Sequence, residues 1–128
     1  MLIKIPVSTG ELVDKITILE IKKIKVEDKL KLIDIKKEHK YLKNILVKKI
    51  KLDPYIKREI AALKKINIKL WDIEDGKRRA EKNKKFGKSF ISLARNVYIY
   101  NDKRAMIKLN INKITDSEII EVKSYDKY

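Results

Sequence analysis

From Phe90 to Ile114 one row of side chains recurs at spacings of 3, 4, 3, 4, 3, 4 and 3: Phe90, Leu93, Val97, Tyr100, Arg104, Ile107, Ile111 and Ile114. That spacing keeps a single helical face apolar over many turns, which suits helices packed side by side. Turn chemistry agrees with it. Three Gly and two Pro in 128 residues leave too few tight turns for a β-sandwich or barrel. Hydrophobic residues make up 44%, enough for one folded core in a chain of this length.

The remaining elements follow from local signals. Ile3, Ile5 and Val7 alternate with Lys4 and Pro6, a short extended segment. Ser8 and Glu11 then have capping-box spacing, flanked by Val7 and Leu12 as a hydrophobic staple, so a helix begins at residue 9 or 10. Its apolar rows are Leu12, Ile16, Leu19, Val26, Leu30, Ile33 and Ile18, Ile21, Leu32, Ile35, Leu42, Leu46. They carry the helix to about residue 51, roughly 60 Å if unbroken; Val26-Glu27-Asp28 offers a break with Asp28 as a new cap. Asp53-Pro54 opens a second helix, with Ile56, Ile60, Leu63, Asn67, Leu70 and Glu74 on one row. Phe86-Gly87 is the turn into the third. Thr115 and Glu118 have capping-box spacing again, which predicts a short helical turn; a β ribbon of 119–123 with 2–7 is the alternative. The expected fold is all-α: a long helical hairpin or three-helix, coiled-coil-like bundle. It forms one domain over 1–128, with helices near 9–51, 54–84 and 88–114, a turn of helix or strand at 116–123, and a C-terminal tail. Apolar rows wider than a single seam predict self-association.

Lys and Arg number 33 against 18 Asp and Glu, a net charge of +15. Residues 22–52 contribute +8 and 77–88 contribute +6. Such blocks attract polyanions, whether nucleic acid, acidic lipid headgroups or acidic proteins. Within the second block Lys77, Arg78, Arg79, Lys84, Lys85 and Lys88 are the candidate contacts. Drift in composition is the favoured explanation of the charge, since Lys outnumbers Arg 28 to 5 beside 22 Ile, and Arg is the usual residue for gripping phosphate bidentately. No helix-turn-helix, zinc-finger or RNA-recognition pattern accompanies the charge.

Chemistry is narrowed by absences. No Cys is present, which removes thiolate nucleophiles and disulfides. His39 is the only His, so no metal site is expected and a solvated His39 is. No nucleotide loop or other cofactor motif occurs, and no cofactor is expected. The longest apolar runs fall short of a membrane span and no leader pattern opens the chain, so a cytoplasmic location is expected.

Polar residues inside apolar rows remain. Arg104 interrupts the third helix's row, Glu74 the second's with Asp72 beside it, and Asp14 the opening of the first. A buried guanidinium needs carboxylate partners, so Arg104 is expected to meet Glu74, Asp72 or Asp14. Asn101, Arg104 and Lys108 share a face at i, i+3 and i+7. The face suits a carboxylate, phosphate or sugar; the plainer alternative is an ion pair that fixes helix register.

Four blocks carry a resemblance: Lys4 to Lys22, Leu70 to Asp75, Asn101 to Lys108, and Ser117-Glu118 with Lys123-Ser124-Tyr125. They resemble an uncharacterised family of small bacterial helical proteins whose opening pattern is PVSxGELxDKxTILEIK. The resemblance covers most of the chain and implies no assigned activity. It implies at most a partner class, surface-glycan glycosyltransferases. The basic stretches fall outside these blocks, while Asp14, Lys15, Glu74 and Arg104 fall inside. The leading expectation is therefore a non-catalytic helical module that binds a partner protein or anionic ligand through Asp14, Lys15, Asp72, Glu74, Asn101, Arg104 and Lys108. Nucleic-acid or polyanion binding by the Lys-rich segments is a second reading. A small all-α enzyme is a third, by analogy of fold with helical chorismate mutases, which also set cations and a carboxylate between helices.

Overall fold

A computed structural model describes all residues, Met1–Tyr128. Four helices follow one another: α1 (Thr9–Lys25), α2 (Lys29–Lys49), α3 (Pro54–Lys82) and α4 (Lys88–Ile114). The all-α expectation holds, but the first predicted helix is two. Val26 leaves the helix with extended backbone, and Asp28 starts the next by accepting the N–H groups of Leu30 and Lys31. The break resets the helical phase. Leu30 and Ile33, which an unbroken helix places on the same row as Leu19, are 76% and 62% exposed. The other row, with Leu32, Ile35, Leu42 and Leu46, turns inward instead. α2 folds back along α1, and His39 reaches Glu20 at 3.1 Å. His39 is thus half-buried against Glu20, not solvated as expected.

Leu12, Val13, Ile16, Leu46, Leu63 and Ile111 form the core, with Leu42, Ile45, Ile60 and Ile107 packed around it. All four helices contribute, so the core lies where α1 begins, α2 ends, α3 begins and α4 ends. α3 and α4 form an antiparallel pair, and α1 lies in their groove at that end. Gly76 sits inside α3, where Leu93 of α4 approaches so closely that a Cβ would stand 3.1 Å from it. The turn between them places Lys84, not Gly87, in the left-handed region (φ 53°).

Asp53 caps α3 through the N–H of Ile56, ahead of Pro54. Ser8 accepts the N–H of Glu11, so half of the predicted capping box forms. The other half does not: the Glu11 side chain turns to Lys108. The second predicted box fails. Thr115 ends α4 and donates its hydroxyl hydrogen to the Ile111 carbonyl, and residues 118–128 form neither helix nor strand. Apolar residues in that tail have no face to bury: Ile120 and Val122 are exposed.

Candidate functional site

The site starts from a backbone approach. Gly10 opens α1 against α4, where a Cβ would lie 2.6 Å from the Lys108 carbonyl oxygen. Its N–H is free in the first turn of α1 and donates to the Asn112 side-chain oxygen at 2.7 Å. The Thr9 N–H donates to the Ser117 hydroxyl. With α1 pinned there, one further turn along α1 places Asp14 opposite Arg104.

Asp14 is buried, with 2% of its side chain exposed. Arg104 meets it with two parallel hydrogen bonds, Nε to Oδ1 at 3.0 Å and Nη2 to Oδ2. From α3, Asn67 donates to both Asp14 Oδ1 and the Thr17 hydroxyl at 2.9 Å. Lys108, one turn along α4, is held by Glu11 at 2.8 Å and by Glu121 of the tail at 3.0 Å, with Asp14 at 3.8 Å. Every buried side-chain polar atom has a partner, the condition for a buried network to be tolerated.

These contacts set the ionisation. Burial by itself raises the Asp14 carboxyl, but hydrogen bonds from Arg104 and Asn67 and the charges of Arg104 and Lys108 outweigh it, so it lies below its ordinary value. The hydrogen bond to Asp14 raises Arg104 further. Burial pulls Lys108 down, and its bonds to Glu11 and Glu121 more than restore it. The Lys108 bond lowers Glu121. Every shift deepens the charged state, the opposite of the tuning that general acid–base chemistry needs.

The predicted residues divide accordingly. Asp14, Arg104, Lys108 and Asn101 converge, Asn101 accepting from Arg104 Nη1 at 3.4 Å. Of the three acids proposed for Arg104, Asp14 answers it. Glu74 shares a groove with Arg104 but pairs with Lys77 and Arg78. Asp72 lies against Lys25 at 3.8 Å. Lys15 is exposed at the rim of a small groove with Glu11 and Arg104 and has no acid partner. Among the basic candidates, Lys84 pairs with Glu81, while Arg79, Lys85 and Lys88 stand exposed at the α3–α4 end. Sequence reasoning missed Glu11, assigned to a cap, and Thr17, Asn112 and Glu121. Only Asn67, polar within its apolar row, carried a visible signal.

Arg104 borders three grooves. One, about 260 Å³, contains Ile18, Trp71 and Glu74; a second of similar size faces Lys15 and Glu38. The largest, about 600 Å³, lies between α4 and the returning tail. It is lined by Tyr98, Asn101, Asp102, Arg104, Lys123, Tyr125, Asp126 and Tyr128, with Val97. Tyr128 meets Tyr98 edge to face, ring centres 4.9 Å apart, and its hydrogen bond to Asp102 raises the phenol above its ordinary value.

Residues 3–128 match the family model of a family of unknown function (DUF6165). No curated protein and no solved structure matches the chain.

Proposed function

The chain belongs to this family of unknown function, and we propose that it is a non-catalytic helical binding module whose Arg104 groove takes a small polar ring bearing an anionic group. One observation carries the reading. Asp14 engages Nε and Nη2 of Arg104, and Nη1 is left with a single long contact to Asn101 in a groove of about 600 Å³. That volume is in the range of small-ligand sites. The bound carboxylate fixes the guanidinium plane, so the remaining N–H groups are preorganised for a second planar anion.

The rest of the groove narrows the ligand. Arg104 already answers Asp14 and Lys123 lies against Glu121 at 3.6 Å, while Asp102 and Asp126 add negative charge to the groove, so a bare anion gains little there. A ring with hydroxyls to donate to the two carboxylates and one anionic substituent for Arg104 fits both ends, and tyrosine rings offer faces for it. Lys108, expected to take part, is engaged by three carboxylates and does not line the groove.

Thermal unfolding with glucuronate, glucose or inorganic phosphate tests this. Glucuronate is expected to raise the melting temperature more than the other two, and Tyr98→Ala or Arg104→Lys to abolish the difference. Equal shifts from all three probes, or a glucuronate shift that survives both substitutions, would overturn the reading.

A further inference from the structure

Residues 77–88 hold seven cations and one acid. α1 follows α3 as far as the contact of Lys25 with Asp72. Beyond Glu74, which still shares a groove with Ile18 and Ile21 of α1, the last eight residues of α3 and the opposing start of α4 run on as a bare pair for about 12 Å. At their end Phe86, 47% exposed, stacks edge to face on Phe90 at 5.3 Å. Lys77, Arg78 and Lys84 have acid partners. Arg79, Lys82, Lys85 and Lys88 pair with none.

A second feature adjoins this tip. On the outer side of α4 an open, shallow face carries Lys88, Ile91, Ser92, Arg95, Asn96 and Ile99, with no carboxylate among them. Lys88, Ser92 and Arg95 stand at i, i+4 and i+7, so cation, hydroxyl and cation share a face. Ile91 is 53% exposed beside them. Arg95 is nine residues from Arg104, half a turn round the axis, and belongs to this face alone.

We propose that the α3–α4 tip docks on an anionic phospholipid surface, with Phe86 and Ile91 entering the headgroup layer and Lys88, Ser92 and Arg95 holding a lipid phosphate. Phospholipid is favoured over nucleic acid by the apolar members. Exposed Phe86 and Ile91 gain by leaving water for the acyl boundary, whereas a duplex backbone offers them nothing to bury against. A lysine-rich cluster suits a diffuse anionic layer, where each cation near the surface strengthens binding severalfold. No helix is long and apolar enough to cross a membrane, so the contact is peripheral.

Co-sedimentation of the full chain with vesicles provides the test, using phosphatidylcholine alone or with about one-third phosphatidylglycerol. Binding is expected only to the mixed vesicles and is expected to weaken as salt rises to about 0.15 M. Lys85→Glu with Lys88→Glu is expected to lower partitioning about tenfold or more. Phe86→Ser is expected to lower it severalfold without altering the salt dependence. These side chains are exposed, so circular dichroism is expected to be unchanged, and Arg104→Lys is expected to bind vesicles as the parent does. Failure to sediment with mixed vesicles, or full binding by the Phe86 variant, would sink the proposal. So would displacement from mixed vesicles by duplex DNA at equal phosphate concentration, which would make the tip a nucleic-acid site.

Discussion

Asp14 and Arg104 are separated by 90 residues, and their pairing is the contact on which the site rests. The carboxylate is almost wholly shielded and the guanidinium is 28% exposed, so the two are not equally vulnerable. Arg104→Met strands a buried charge and is expected to cost about 3–5 kcal/mol. Asp14→Leu leaves a cation able to reach water and is expected to cost less. The double variant is expected to lose less than the sum of the two, by about 0.5–3 kcal/mol. Urea unfolding of the three variants measures this; strict additivity would mean the pair is not coupled. At this scale the sequence displayed a need, an arginine within an apolar row, but not which acid met it. Glu74 and Asp72 were as plausible by spacing as Asp14, and only the depth of α1 in the α3–α4 groove separates them.

At the scale of elements, short polar signals decided helix starts better than apolar rows decided helix lengths. Ser8, Asp28 and Asp53 each cap where they stand, because an N-cap needs only its own next few N–H groups. Thr115 has the same spacing signal and ends a helix instead, since nothing beyond it has an apolar face to bury. The contacts joining elements are largely ionic: Glu20 with Lys64, Glu11 and Glu121 with Lys108, and Asp14 with Arg104. Asp14, Glu20 and Glu121 all lie below their ordinary values. A carboxyl lowered on folding stabilises the fold above its unfolded value, and that contribution is lost as pH falls through the folded one. Stability is therefore expected to hold at neutral pH and to fall progressively below about pH 4. Asp14→Leu in the Arg104→Met background is expected to fall less steeply. Melting temperature across the acid range checks both; a flat profile below pH 4 would contradict the linkage.

The whole molecule exposes 9899 Å² for 15.1 kDa, where a compact monomer of that mass exposes about 7,100 Å². Part of the difference is the bare α3–α4 tip. Another part is the outer row of α2, where Leu30, Ile33, Tyr41 and Val47 are exposed. We propose that a second copy covers this row. A standard stable interface takes about 800 Å² from each partner, well within the surface that this elongated shape exposes. Light scattering at micromolar concentration is expected to give twice the chain mass, and Leu30→Ser with Ile33→Ser to give the chain mass at unchanged helicity. A single-chain mass for the parent protein would remove the proposal.

Helical class, the capped starts of α1 and α3 and the need for an acid opposite Arg104 were settled by the amino-acid order, because each depends on neighbours within about two turns. Which residues became core, which acid met Arg104 and where Lys108 found its partners were settled only in three dimensions. A three-residue break rotated α2 relative to α1, a missing side chain at Gly10 set how closely α1 and α4 approach, and a tail without regular structure carried Glu121 back to the site. Each is a relation between distant segments, and no local spacing encodes it.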